Sequence, residues 1–261
     1  MSEKKSKVTI YDVAKLAKTS ATTVSRVLSG SDYPVSLPLR ARIIEAAEKL
    51  NYSPNVLARS LKKNTSLDIG VIIPTISNPF YSSVILGIEK EVNKKGYNLL
   101  LYNTFRDIEK ERRCLQSLYE KQIEGVIISP LGHESIKEYI EKGLNFVLLD
   151  QKIDDIECSI INFDCFKGAY IATEYLIKNG HKKIAFVSSP LTKWTRSEIF
   201  KGYKMALRDN NLPIIDEYFL IGTYEEEMEE EGFEFKNGKL MADEFIKRKL
   251  DATAVCAVND M

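Results

Sequence analysis

The chain has 261 residues, 44% hydrophobic and 28% charged, enough for two or three domains with sizeable cores. Its formal charge is zero, yet residues 1–64 carry 12 Lys/Arg against 5 Asp/Glu and the remainder 25 against 32, a basic module on an acidic body. Two histidines and four cysteines without a CxxC exclude a zinc finger, and no apolar run approaches the ~18 residues of a membrane helix.

From Val8 to Gly30 the sequence VTIYDVAKLAKTSATTVSRVLSG predicts two short amphipathic helices around a tight turn. Thr9 caps the first, with Asp12 in capping-box position, and Ile10, Val13, Ala14 and Ala17 form one buried stripe. Lys18 and Thr19 make the turn and Ser20 caps the second helix. There Val24, Val27 and Leu28 face inward, leaving Ala21, Thr22, Thr23, Ser25 and Arg26 outward or lateral. This is the arrangement that places one helix in the major groove of DNA. A third helix is expected from about Leu37 to Leu50, with Pro38 in its first turn and Leu39, Ile43, Ala46, Ala47 and Leu50 on its apolar face. Ser53, Pro54 and Asn55 open a further helix to about Leu61, too short to stand alone.

From Leu67 strands alternate with helices. LDIGVIIP, YNLLLYN, EGVIISP and NFVLLD are apolar runs fit for strands buried on both faces, separated by helices near Phe80–Lys95, Ile108–Lys121 and Ser135–Lys142. A second set follows: SIINFD, helix 166–179, KIAFVSS, helix 197–210, a strand near EYFLIG, helix 239–249 and ATAVCAV. This spacing predicts right-handed βαβ units and parallel sheets. The acidic stretch YEEEMEEEGFEFKNG, Tyr224 to Gly238, is expected to be a solvated loop or helix extension.

The N-terminal string resembles the DNA-binding headpiece of the lactose/galactose-repressor (LacI/GalR) family, of the form VTIxDVAxxAxVSxxTVSRVLNG. The resemblance continues through YSPNVLARSL, SLDIGVIIPTISNPFYSSVILGIE, GHKKIAFV and AVND, in the family's order. It implies a helix-turn-helix headpiece (1–52), a hinge helix and linker (53–66), and an α/β core of the type I periplasmic-binding-protein kind (67–261). The core would have two parallel-sheet subdomains, about 67–163 and 164–261. Family members continue beyond the position of Met261, so an incomplete core is expected. The implied protein is a soluble, cytoplasmic, homodimeric transcription regulator, most simply a repressor. It would bind a pseudo-palindromic double-stranded operator and answer to a small-molecule effector, with a carbohydrate as one candidate, and would need no metal or cofactor.

By the same resemblance Ala21, Thr22 and Arg26 fall at base-reading positions, Arg26 being able to make a bidentate contact with guanine. Thr9, Tyr11, Ser20, Thr23, Ser25 and Asn55 are cast as phosphate contacts. Ala58, Arg59 and Leu61 of the hinge complete the DNA set, Leu61 as an apolar wedge in the minor groove. Parallel sheets bind ligands beyond the carboxyl ends of their strands, which points to Asn78, Pro79, Phe80, Asp150, Asp164, Thr195, Arg196, Asn259 and Asp260, with Trp194 as a further ring. Sugar-binding relatives carry an arginine in the pattern RLxGF where this chain has IFKGY. Ile199 stands at that position, and Arg196, one turn earlier, is its possible replacement.

An enzyme is not expected. No GxGxxG, GxxxxGK[ST] or GxSxG follows a strand, His181 lies in a helix-to-strand turn, and Asp154-Asp155 is a loop pair. Two alternatives stand beside the regulator: a truncated DNA-binding fragment insensitive to effector, and a small-molecule receptor without regulatory role.

Overall fold

In the computed structural model, which describes residues 8–29, 33–53, 66–153, 156–223 and 233–260, the chain divides into two units, Met1–Thr65 and Ser66–Met261. The hinge helix expected from Asn55 to Leu61, the Asp154-Asp155 pair and most of the acidic stretch lie outside the described residues.

The first unit holds α1 (Ile10–Leu16), α2 (Ala21–Leu28) and α3 (Leu37–Lys49). Their stripes meet in one small core of Val13, Ala14, Ala17, Val24, Val27, Ile43, Ala46 and Ala47, flanked by Ile10, Leu28, Val35, Leu39, Leu50 and Tyr52. Small side chains at Ala14, Ala17, Ala46 and Ala47 let three short helices approach closely around Val24 and Ile43. The Asp12 carboxylate accepts from both the backbone N–H (2.8 Å) and the hydroxyl (2.7 Å) of Thr9, which lowers its pKa below the ordinary carboxylate value. Ser20 Oγ accepts from the Thr23 N–H at 3.1 Å, opening α2 after a turn in which Lys18 adopts φ 53°.

The second unit runs β1 (Asp68–Ile73), α4 (Pro79–Lys94), β2 (Asn98–Asn103), α5 (Ile108–Glu120), β3 (Gly125–Ile128), α6 (Glu134–Glu141), β4 (Phe146–Leu149) and β5 (Ser159–Ile161). It continues with α7 (Cys165–Lys178), β6 (Ile184–Ser188), α8 (Trp194–Asp209), a 3₁₀ turn (Asp216–Tyr218), β7 (Phe219–Ile221), α9 (Phe233–Lys247) and β8 (Ala254–Ala257). All pairings are parallel, in a five-stranded sheet ordered β2-β1-β3-β4-β5 and a three-stranded sheet ordered β7-β6-β8. Alternate residues of β1 serve opposite faces. Ile72 joins a core with Leu115 and Leu118 of α5 and Ile136 of α6, whereas Val71 and Ile73 pack with Tyr81 and Ile85 of α4. The second sheet's core centres on Ile184, Phe186 and Cys256 against Tyr203 and Leu207 of α8.

Four details differ from the sequence expectation. The strand in SIINFD heads no second set; as β5 it pairs with β4, Val147 opposite Ser159 and Leu149 opposite Ile161. Its three residues are all exposed, and so short a strand can extend an existing edge but not found a sheet. β2 is likewise an edge strand, without the fully buried positions expected of it. Helix α8 starts at Trp194 rather than residue 197. Helix α9 starts at Phe233 rather than 239, because Phe233 and Asn237 continue one buried face toward the N-terminus.

Candidate functional site

On the first unit, the outward surface of α1 and α2 carries the residues expected to meet DNA. Thr9, Tyr11, Ser20 and Thr22 are exposed, Tyr11 at 73%, while Ala21, Thr23, Ser25 and Arg26 are half-buried at the edge of the core. Ser20 and Thr23 share a hydroxyl–hydroxyl bond of 2.8 Å beside the first free turn of α2. The Arg26 guanidinium stacks over the Tyr33 ring, 3.9 Å from its centroid, so an aromatic platform limits the rotamers of the cation. Tyr33 was not among the expected residues; its ring comes from the loop before α3. Asn55, Ala58, Arg59 and Leu61 lie outside the described residues.

On the second unit, a cavity of about 900 Å³ opens where strands of both sheets end. Of the residues expected there, Asn78, Pro79, Phe80, Asp150, Thr195, Arg196, Asn259 and Asp260 line it, and Asp164 and Trp194 do not. Asp164 instead caps α7, its carboxylate accepting from the Lys167 N–H at 2.9 Å. Asn78 has both roles, capping α4 through the Phe80 N–H (2.9 Å) while facing the cavity. Phe80 meets Phe163 edge to face at 6.1 Å, and Phe163 lines the cavity as well. Trp194 does not join them and lines a separate, smaller cavity. Ile199 lines the larger cavity, so the position of the family arginine presents an apolar group. Arg196, its expected replacement, is buried and donates from Nη1 to the Pro190 carbonyl at 3.0 Å.

The charge pattern follows from burial. Burial pushes the Asp150 carboxyl up, and the nearby Lys193 and Arg196 cations pull it back only in part. Asp150 also sits at φ 57°, a left-handed conformation that a non-glycine residue holds only when its surroundings fix it. The Tyr81 hydroxyl is raised by burial and by the Asp150 charge, and bonds Ser129 Oγ at 2.9 Å.

Sequence reasoning missed a buried ion pair of the unit. Arg106 Nη2 and Glu234 Oε1 are 2.7 Å apart, with side chains only 6% and 7% exposed. Phe105 and Arg106 both adopt left-handed φ, 55° and 60°, which turns the chain after β2 inward. Burial opposes ionisation of Glu234, but the Arg106 guanidinium outweighs it and holds the carboxyl below its ordinary pKa. Glu234 lies in the stretch expected to be solvated; the periodicity Phe233, Asn237, Met241 was the available sign that its end is a buried helix face. Glu111, also buried, accepts from the backbone N–H of Leu131 (2.9 Å) and Gly132 (3.4 Å), yet burial pushes its carboxyl up to about 7.

Among the described residues no cluster of three or more His, Cys, Asp or Glu could hold a metal, and no helix is long and apolar enough to cross a membrane. The four cysteines are free thiols, and His181 Nδ1 lies 2.9 Å from Thr253 Oγ1 in the turn before β6.

Residues 9–55 match the family described as bacterial regulatory proteins, lacI family, and residues 66–260 match periplasmic binding proteins and sugar binding domain of LacI family. The chain is 37% identical over 235 residues to the HTH-type transcriptional repressor PurR of Actinobacillus pleuropneumoniae serotype 5b (strain L20), covering 89% of this chain and 68% of that protein. Among solved structures, a LacI family transcriptional regulator from Silicibacter pomeroyi aligns with a TM-score of 0.76 at 26% identity, over 97% of this chain and 74% of that one. The lac repressor dimer bound to operator and the anti-inducer ONPF aligns at 0.82 and 24% identity over the same shares, a likeness of fold.

Proposed function

The chain belongs to the LacI family of bacterial regulatory proteins, and from that premise we propose that it is a repressor that reads a pseudo-palindromic operator as a homodimer. The observation that carries this reading is the composition of α2: an inward face of Val24 and Val27, and an outward one of small hydroxyl residues around a single arginine. Arg26 supplies the bidentate base contact, Ala21 and Thr22 the neighbouring apolar and hydroxyl contacts. Thr9, Tyr11, Ser20, Thr23, Ser25 and Asn55 fix the register on phosphates, Ala58 and Arg59 add contacts from the hinge, and Leu61 wedges into the minor groove. Residues 1–52, 53–66 and 67–261 serve as reading head, hinge and effector unit.

The effector occupies the larger cavity, where Asp150, Asp260 and Asn78 accept or donate hydrogen bonds to hydroxyls and Phe80 supplies a ring face. A polyol such as a sugar fits this lining, with Ile199 against an apolar edge in place of a polar grip. The effector binds one arrangement of the two sheets better than the other and so shifts the population that holds DNA. The coupling is reciprocal: whatever factor the effector takes from operator affinity, the operator takes from effector affinity. Nothing in this scheme makes or breaks a covalent bond.

Selection of the full chain on a randomised duplex pool at moderate salt tests the reading. A symmetric motif is expected for the wild type. For Arg26→Ala, preference is expected to fall at one symmetric pair of positions by ~1–3 kcal/mol, with the rest of the motif kept. Equal loss on every sequence overturns the role of Arg26, and binding without a shared motif overturns the operator reading.

A further inference from the structure

Of the α2 side chains set against bases, Arg26 is the only long one. Ala21 and Thr22 are short and are placed by the helix backbone itself, and the neighbouring Thr23 is locked to Ser20 by their 2.8 Å hydroxyl bond. An arginine arm has many rotamers, and ordering it at the moment of binding costs affinity and blurs the choice of base. Arg26 also lies in the last turn of α2, where the carbonyl end of the helix attracts a cation and would draw the guanidinium back along the axis. Ser29 Oγ donates to the Arg26 carbonyl at 3.1 Å, which closes that turn and fixes the backbone from which the arm leaves. The arm itself needs a separate support.

The Tyr33 ring supplies it, with the guanidinium carbon 3.9 Å from the ring centroid. A cation over a ring is held by the π-face, so the contact consumes none of the N–H donors. Among the described residues no hydrogen bond or ion pair takes up those donors either. The fork that a bidentate base contact needs therefore stays available while the arm is held. The platform is stiff for reasons that lie in the chain. Pro34 follows Tyr33 and restricts its backbone to extended conformations. Val35, one residue on, packs against the headpiece core, and α3 starts at Leu37. Tyr33 itself is exposed and no part of that core, so its ring can be removed without opening the packing of the three helices.

We propose that Tyr33 is a positioning residue for sequence readout: its ring pre-sets Arg26 for one base pair of each half-site and so sharpens specificity without itself reading a base. The proposal rests on the base-reading role given to Arg26 above. Its test measures binding of the full chain to the selected duplex and to duplexes altered at the symmetric pair of positions that Arg26→Ala flattens. Tyr33→Leu and Tyr33→Gln both remove the ring. Each is expected to cut the preference at that pair about three- to tenfold, with preference elsewhere and the salt dependence unchanged. Tyr33→Phe keeps the ring and is expected to match the wild type. In the Arg26→Ala background, removing the ring is expected to change nothing further, because a residue acting through Arg26 has nothing left to act on. The positioning role is overturned if ring loss leaves the preference intact, or if Tyr33→Phe loses as much as Tyr33→Leu, which would mark a hydroxyl contact to DNA. It is equally overturned if ring loss weakens every duplex alike, adds to Arg26→Ala, or lowers the far-UV melt of the headpiece in both variants, the marks of a direct contact or a structural part. The two readings fail separately. If Arg26→Ala flattens no position, the role of Arg26 falls before Tyr33 is touched; if it flattens a pair that ring loss does not, only the positioning role falls.

Discussion

The two units bury different kinds of side chain. Every buried residue of the described headpiece is apolar, from Val13 to Ala47, and its polar side chains are exposed or half-buried at the edge of the core. The α/β unit buries Arg106, Glu111, Arg196, Glu234 and Asn237 near its cavities. Among the described residues the core of the headpiece therefore contains no group that titrates. The second unit carries charges whose balance depends on partners, as a part that must register a small molecule requires.

The sharpest way to break this comparison is Glu234→Ala. It leaves the Arg106 guanidinium buried without that carboxylate, and a loss of about 3–5 kcal/mol is expected from urea unfolding followed through Trp194. Combining Arg106→Met with Glu234→Leu should recover most of it. A loss below about 1 kcal/mol in the single variant would show that the pair does not hold the unit together.

Next in size is Glu111. Folded, its carboxyl titrates near 7 against an ordinary 4.5, so the native state keeps a proton that the unfolded chain gives up. Its contribution to stability is full below about 4.5 and is lost as pH rises through 7, amounting to no more than about 3 kcal/mol. Glu111→Gln cannot ionise. Its midpoint is expected to stay flat from pH 5 to 8 relative to the wild type, and parallel curves would rule out Glu111 as the source of the dependence.

The smallest effect belongs to the headpiece. Ser20→Ala removes the cap on the Thr23 N–H and is expected to cost about 1 kcal/mol of headpiece stability in far-UV thermal melts. The Trp194 transition should not move. A shift in both would mean that the two units unfold together.

The same contrast explains what could be read from the sequence. Headpiece elements are specified by neighbours a few residues apart: Thr9 with Asp12, Ser20 with Thr23, the 3.6-residue stripes. Local patterns therefore place their surfaces. The lining of the larger cavity was legible where the rule of strand ends applies, as at Asn78, Asp150 and Asn259; the rule failed at Asp164, where a cap and a cavity residue look alike, and at Trp194, which lines the smaller cavity. Arg106 and Glu234 lie 128 positions apart, and no periodicity joins them. Two left-handed residues aim the first, and a helix that starts inside an acidic run carries the second. The hydrogen bond from the Trp194 N–H to Gln151 Oε1, across 43 positions, is equally non-local.

Gly202 brings these parts together. A Cβ there would lie 2.1 Å from the Phe166 carbonyl oxygen, so the absence of a side chain is what lets α8 rest directly on the backbone of α7. Cys165 at the start of α7 and Thr195 and Arg196 at the start of α8, all lining the larger cavity, therefore sit on two helices as close as their backbones allow. A methyl at position 202 would collide with that carbonyl, so the two cavity-lining helix ends keep their spacing only while this position carries no side chain.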